Sequence, residues 1–419
     1  MMFERENNAP VIPLWLVWAV ALGFVLVGLG SFGILDNNEG LYAEIPREML
    51  ASHDWRLWVI PHLNGLPYME KPPLLYWLTA LSFALFGESE WSARLVPALS
   101  SLACVAMLAW FGTALKRPQA GRLAALMFVS GVGVTAMSHV LMFDMLLTAL
   151  VTAALMHAYR YASEGNVRFV RWSYAFLAFA LLAKGLVALV LFGLVIVTFT
   201  LVTARSPTDF FRAAGKWFEP WAILIFLGIA APWHVAASLT EPIFAWFYFV
   251  NEHVLRFLGK REPHDYYAGA WWYYLPRMAI YLFPWSFLLP CLFAAPGRRD
   301  YQYDSGLRRF LWMAWLAPLF FFSISSAKAN YYLVAVMPFA PLALFISVGF
   351  TVIAPWIGGI LMLVCAAWML YLALTASAVI TLVLGLVTAA LVSAAGIASL
   401  VSAFGKPAVP PVAVKALAQ

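Results

Sequence analysis

The segment Pro67-Tyr68-Met69-Glu70-Lys71-Pro72-Pro73 places an acid, a base and a phenol in a stretch stiffened by proline. Proline fixes φ and is tolerated in the first turn of a helix, so the paired prolines hold Glu70 and Lys71 in a set direction where a helix begins. A lysine ammonium is a compact point charge suited to a phosphate oxygen. Three other stretches carry groups of similar chemistry. His139 to Asp144 reads as a tight hairpin with the Asp144 carboxylate at a helix start. Asn251-Glu252-His253-Val254-Leu255-Arg256 sets His253 and Arg256 three apart, on one face of a helix. Ser325 to Tyr332 places Lys328 with the phenols Tyr331 and Tyr332 between two apolar runs. Glu70 and His253 could bind a divalent ion (Zn, Mg or Mn), although two residues on separate loops are fewer than the usual ligand set. His157 and His234 lie in apolar runs and read as packed bundle residues.

These groups are embedded in a chain whose natural solvent is lipid. Of 419 residues, 64% are hydrophobic and 11% charged, against roughly 45–50% and about 25% in an ordinary globular domain. Mean hydropathy is +0.84. A soluble fold of this size could not bury that much apolar surface. The expected architecture is an all-α polytopic membrane bundle of about twelve spans, at 11–34, 95–115, 123–139, 145–159, 172–183, 186–204, 220–238, 274–295, 309–325, 331–350, 355–377 and 378–404. The transmembrane domain then covers 1–405, with an uncleaved first helix and a short tail at 406–419. Cys104, Cys291 and Cys365 sit in apolar runs without metal or pairing spacing. The net charge of +6 reflects orientation in the membrane rather than a nucleic-acid partner.

The loops alternate in charge. One class, with both termini, holds 16 basic and 7 acidic residues; the other holds 10 and 13. Lys and Arg excess marks the cytoplasm, so the mixed-charge loops, chiefly 35–94 and 239–273, are expected outside. This requires 73–86 to be an interfacial or re-entrant helix, since fourteen residues span only about 21 Å. The run 172–183 is short by the same measure, which would leave Lys184 in a water-filled cavity below the outer surface. In the first outer loop, Glu44, Arg47 and Glu48 have the spacing of a paired surface helix. Asp36-Asn37-Asn38-Glu39-Gly40 directly follows a span, where charge is costly unless used. A solvated helix end with a turn at Gly40 fits that spacing equally well.

No Walker A loop, HExxH, Gly-x-Ser-x-Gly or dinucleotide fingerprint is present, so neither ATP nor nicotinamide chemistry is supported. Acids, phosphate-suited cations and phenols on one side of a membrane point to group transfer from a phosphorylated lipid.

The blocks Asn38–Leu50 and Leu63–Trp77, then Phe143-Asp144, Ala183-Lys184-Gly185, Asn251–Gly259 and Lys328–Tyr332, resemble the GT-C membrane glycosyltransferases of the aminoarabinose transferase and protein O-mannosyltransferase type. The likeness covers about residues 30–345, and Tyr-x-Glu-Lys-Pro-Pro is its most specific block. It implies a polyprenyl (undecaprenyl) phosphate sugar donor, a glycolipid (such as lipid A), glycan or protein acceptor, and a periplasmic site in the bacterial inner membrane. Lys71 and Arg256 would hold the donor phosphate, with Lys328, Tyr331 and Tyr332 beside them. Tyr42, Tyr68 and Lys184 would contact substrate, Asp144 would be one of two active-site acids, and Glu70 with His253 could hold a metal. Two departures stand out. Asn38 occupies the family's usual Asp position, leaving Asp36 and Glu39 as the nearby carboxylates for catalysis. The aminoarabinose transferases carry a soluble C-terminal domain, whereas this sequence closes on apolar runs and a short tail. Two readings from other classes remain. A transporter would place its polar sites near the midplane on broken helices, whereas these gather at the outer ends. A non-catalytic lipid-binding subunit would explain Asn38 as a decayed base.

Overall fold

The computed structural model describes residues 12–35, 38–52, 54–263, 269–289 and 305–348. Asp36, the expected spans 355–377 and 378–404 and the tail 406–419 lie outside them. The chain divides into two compact units. The first comprises Met1–Phe283 and Gln302–Ala343 and contains every residue of the site described below. The second comprises Pro284–Tyr301 and Leu344–Gln419, in which a single 3-10 turn, Trp285–Leu288, is described apart from the end of the last helix.

In chain order the helices are α1 (Leu14–Leu26), α2 (Asn38–Ala51), α3 (Arg56–Val59), α4 (Leu74–Phe86), α5 (Glu90–Ala114), α6 (Pro118–Ser130), α7 (Val132–Ser138), α8 (Phe143–Glu164), α9 (Val167–Lys184), α10 (Val187–Thr203), α11 (Pro207–Gly215), α12 (Pro220–Thr240), α13 (Tyr274–Leu282), α14 (Ser305–Ile324) and α15 (Phe339–Val348). A π-helical segment, Trp246–Leu255, and a 3-10 segment, Asn330–Val336, carry site residues. The one sheet among the described residues is a two-stranded hairpin, β1 (His62–Leu63) against β2 (Leu66–Pro67). Its turn is Asn64-Gly65, both at positive φ (53° and 76°), the combination that matches the twist of paired strands.

Local chemistry explains the boundaries. Ser89 and Ser92 form a reciprocal capping box that starts α5. Asn166 accepts from the Arg168 amide to start α9, and Glu219 accepts from the Ala222 amide to start α12 behind Pro220. Helix α8 stops at Gly165, whose φ of 69° releases the chain at no steric cost. Helix α4 begins directly after Pro72-Pro73, where the prolines were expected to place it.

Among the described residues, α5, α12 and α14 are long and apolar enough to cross a membrane, and α6 with α7 forms a fourth candidate bent by 68°. The pair breaks at Gly131, where the run 123–139 had looked continuous. Helices α8 and α9, of 22 and 18 residues, have the length but carry charges near both ends. The expectation for 172–183 is corrected: α9 starts at Val167, and its 18 residues rise about 27 Å. The apolar run began late because Arg168 and Arg171 lie within the first turns. Helix α1 spans 13 residues rather than the full run 11–34.

Helices α5 and α6 approach so closely that a Cβ on Gly112 would sit 2.5 Å from the Gly121 Cα. Small residues let backbones meet in a lipid solvent, where apolar burial alone does not drive helices together. Helix α8 is buried along most of its length and forms the centre against which α5 and α9 pack. Across the surface, Glu44 and Arg47 pair as expected, with bonds of 2.8 and 2.6 Å. Glu48 instead accepts from the Asn64 amide at 2.6 Å and ties α2 to the hairpin.

Candidate functional site

A cavity of about 760 Å³ collects residues from six separated parts of the chain. Its charged lining is Glu70, Lys71, Asp144, Lys184, Glu252, Arg256 and Arg261, joined by Asn38, Tyr42, His253, Tyr331 and Tyr332. Four cations therefore face three carboxylates.

Lys71 stands just before α4. Its Nζ lies 3.3 Å from Glu252 Oε2 and 3.7 Å from Glu70 Oε2. Arg256 reaches the same Glu252 oxygen at 3.0 Å. Arg261 bonds the other oxygen, Oε1, and also Glu70 Oε1 at 2.6 Å. Glu252 is thus the hub of the cluster, with its side chain 1% exposed. Burial alone would push its carboxyl up, but Lys71, Arg256 and Arg261 override this and hold it below the usual range. The phenol of Tyr68 donates to Glu70 Oε2 at 3.1 Å.

Opposite this cluster, Asp144 in the first turn of α8 accepts a short hydrogen bond from Lys184 at the end of α9. The Lys184 ammonium also faces the rings of Tyr332 and Tyr331, 4.9 and 5.3 Å from their centroids, a cation–π arrangement. Gly185 then turns the chain at φ +81°, against the His253 ring. Tyr42 packs edge-on to Phe143 at 4.8 Å, and Phe143 to Tyr76 at 5.3 Å, giving the cavity an aromatic wall beside Asp144.

Several expected site residues are placed differently. Glu39 is 2% exposed and absent from the lining. Its carboxylate takes two bonds from Arg94, at 2.9 and 3.0 Å, and the amides of Leu141 and Leu35 at 2.9 and 2.7 Å. All its acceptor capacity goes to structure. Lys328 also leaves the cavity: its ammonium donates to the carbonyls of Ser323 and Ser325, both at 2.7 Å, and caps the end of α14. Tyr68 reaches the site only through Glu70. His253 and Arg256 both line the cavity, on a backbone that is π-helical as far as Leu255. His253 turns toward Gly185, and Arg256 turns toward Glu252.

The His253 ring is engaged at both nitrogens: Nδ1 donates to the Tyr248 carbonyl at 2.6 Å and Nε2 accepts from the Leu186 amide at 3.0 Å. Burial holds its pKa down at about 4, so it is neutral at physiological pH. With Glu70 bonded to Arg261 and Tyr68, this pair does not present a metal-ligand set in this arrangement. No group of three or more potential metal ligands occurs among the described residues.

Pattern reading missed Glu252, Arg261 and Arg94. The four-residue spacing of Glu252 and Arg256 was a usable signal. Arg94 is an isolated cation at the edge of an apolar run, which by itself calls for a buried partner. Arg261 had no local signal, since its partner Glu70 is 191 positions away.

The sequence and fold have counterparts among known proteins. The family model for dolichyl-phosphate-mannose-protein mannosyltransferase matches residues 70–235. The undecaprenyl phosphate-alpha-4-amino-4-deoxy-L-arabinose arabinosyl transferase of Aeromonas salmonicida is 31% identical, over 86% of this chain and 66% of its own length. The counterpart from Pseudomonas savastanoi is 32% identical, over 78% and 59%. The chain thus spans less than two thirds of the length of these relatives. The crystal structure of ArnT from Cupriavidus metallidurans bound to undecaprenyl phosphate superposes with a TM-score of 0.70 at 28% identity, covering 93% of this chain and 71% of that one. An oligosaccharyltransferase from Archaeoglobus fulgidus, at 11% identity and a TM-score of 0.52 over 91% and 55%, shares the fold alone. Over most of its length the chain is similar to the GT-C membrane glycosyltransferases of the aminoarabinose transferase and protein mannosyltransferase type.

Proposed function

We propose that the protein transfers a sugar from a polyprenyl phosphate donor to an acceptor at the outer face of the bacterial inner membrane. The observation that carries this is the convergence of Lys71 and Arg256 on a single buried oxygen, Glu252 Oε2, at the cavity wall. Two cations directed at one point are placed to receive the oxygens of a lipid phosphate. The donor is already dissolved in the bilayer, so no nucleotide site is required. The name of the Aeromonas salmonicida relative gives the same donor chemistry.

In the reaction, an acceptor oxygen forms a bond to the anomeric carbon, and the bond from that carbon to the phosphate oxygen breaks. The electron pair stays on the phosphate, where Lys71 and Arg256 offset the growing charge, an electrostatic contribution. Asp144, held by Lys184, orients the acceptor or takes its proton when the acceptor is a hydroxyl. A phosphate acceptor brings its own anionic oxygen and needs no base, which suits an amide at Asn38. A glycolipid phosphate such as that of lipid A is the acceptor this favours.

Purified full-length protein in detergent, with an undecaprenyl-phosphate sugar and candidate acceptors, tests the reading directly. Lys71→Ala should abolish transfer while the protein stays monodisperse, and Lys71→Arg should rescue only in part, because a planar fork does not replace a point charge. Near-normal turnover in Lys71→Ala would remove Lys71 from the site.

A further inference from the structure

Glu252 sits where a donor phosphate would arrive, yet it is itself an anion. Its Oε2 receives Lys71 and Arg256, and its Oε1 is held from behind by Arg261, which is anchored in turn on Glu70. A carboxylate buried this deeply and bonded at both oxygens stays in place, so a phosphate entering the cavity shares the cations with it.

We propose that Glu252 sets the net charge of the phosphate site and thereby limits how strongly the monoester product is held relative to the diester donor. The inference rests on the transferase reading above. With His253 neutral, the lining carries four cations and three carboxylates, a surplus of one positive charge. A sugar phosphodiester carries one negative charge and is neutralised by that surplus. Breaking the glycosidic bond leaves a monoester of about −1.5 to −2 at pH 7, more than the surplus matches. The product therefore has a weaker relative claim on the site than a more cationic pocket would give it, which favours its release. Loss of the Glu252 charge would raise the surplus to two, which matches the product instead.

The test compares binding of undecaprenyl phosphate, a monoester, with its methyl ester, a diester, to the detergent-purified full chain; no turnover is involved. Glu252→Gln should raise the monoester-to-diester affinity ratio about tenfold, the order expected for one charge several ångströms away in a partly buried site. Arg261→Met removes one cation and should move the ratio the opposite way. A ratio unchanged in both variants, or moved in the same direction by both, overturns the proposal while leaving the transferase reading standing. If Glu252→Gln does not fold, the Arg261→Met arm decides alone: a ratio that is unchanged or shifted toward the monoester overturns it. A wild-type protein that binds neither lipid would overturn this inference and the transferase reading together.

Discussion

Glu39 on α2 and Arg94 on α5 are joined by two parallel hydrogen bonds, with both side chains 1% exposed or less. The same arginine donates to the carbonyls of Leu29, Phe32 and Gly33, and its guanidinium lies 3.8 Å above the Phe32 ring. Glu39 also receives the Leu141 amide of the hairpin that leads into Asp144. The pair thus fixes the end of the first apolar segment, the start of α2 and the approach to Asp144. Burial by itself pushes the Glu39 carboxyl up, and Arg94 with the two backbone amides overrides this and holds it below its ordinary value.

Breaking this pair from one side leaves an uncompensated buried charge. Glu39→Gln should therefore lower stability by about 3–5 kcal/mol, read as a fall in the thermal unfolding midpoint in detergent. Replacing both partners, as Glu39→Met with Arg94→Leu, should recover much of that loss. The double variant also separates structure from catalysis: a folded double variant that still transfers sugar confirms a structural Glu39, and a folded but inactive one would return Glu39 to the list of catalytic acids.

Gly185 should tolerate no side chain. A Cβ there would lie 2.4 Å from His253 Nε2 and 2.8 Å from Tyr248 Oη, at a φ of +81°. Gly185→Ala should cost about 1–3 kcal/mol from the backbone conformation alone, before any displacement of His253. The unfolding midpoint measures it, and a midpoint equal to wild type would mean that the turn is built differently.

His253 supplies a pH dependence whose sign follows from its depressed pKa. The folded protein resists protonation down to about pH 4, whereas the unfolded chain takes up the proton near 6.5. The unfolded state therefore binds more protons in this window, so the stability associated with His253 is complete above about pH 6.5 and falls as the pH drops toward 4. Comparing unfolding midpoints of wild type and His253→Gln over this range should show a flatter acid decline in the variant. Parallel curves would show that His253 does not titrate in this manner.

Asn38 discriminates between acceptor classes. It lines the cavity at the start of α2, where an aspartate would be a base. If the acceptor is a phosphate, Asn38→Asp should slow transfer by repelling it, and the penalty should shrink as the pH falls from 8 to 5 and the new carboxylate protonates. A hydroxyl acceptor reverses the sign, because a restored base should speed transfer by up to about 10²–10⁴-fold. Rates identical to wild type across this range would place Asn38 outside the reaction.

The residues themselves determined the solvent, the class of fold and much of the chemistry. Apolar composition forces helices, because a backbone in lipid must satisfy its own hydrogen bonds. The prolines before Leu74 announced the start of α4, and Lys71, Asp144, Lys184, Arg256, Tyr331 and Tyr332 could be picked out from charge and position. Tertiary structure decided how those groups are used. Glu39 and Lys328 look as reactive in the chain as Asp144 and Lys71, but Arg94 claims the first and the carbonyls ending α14 claim the second. Which partner wins is a matter of three-dimensional proximity: Glu70 meets Arg261 across 191 residues, and Lys71 meets Glu252 across 181. Local periodicity carries no record of such distances. Helix type was equally hidden from local pattern, since the spacing of His253 and Arg256 reads as an ordinary helix whereas Trp246–Leu255 is π-helical. Short-range rules act over one or two turns, whereas a buried charge is settled by whatever countercharge the packed bundle brings within about 4 Å.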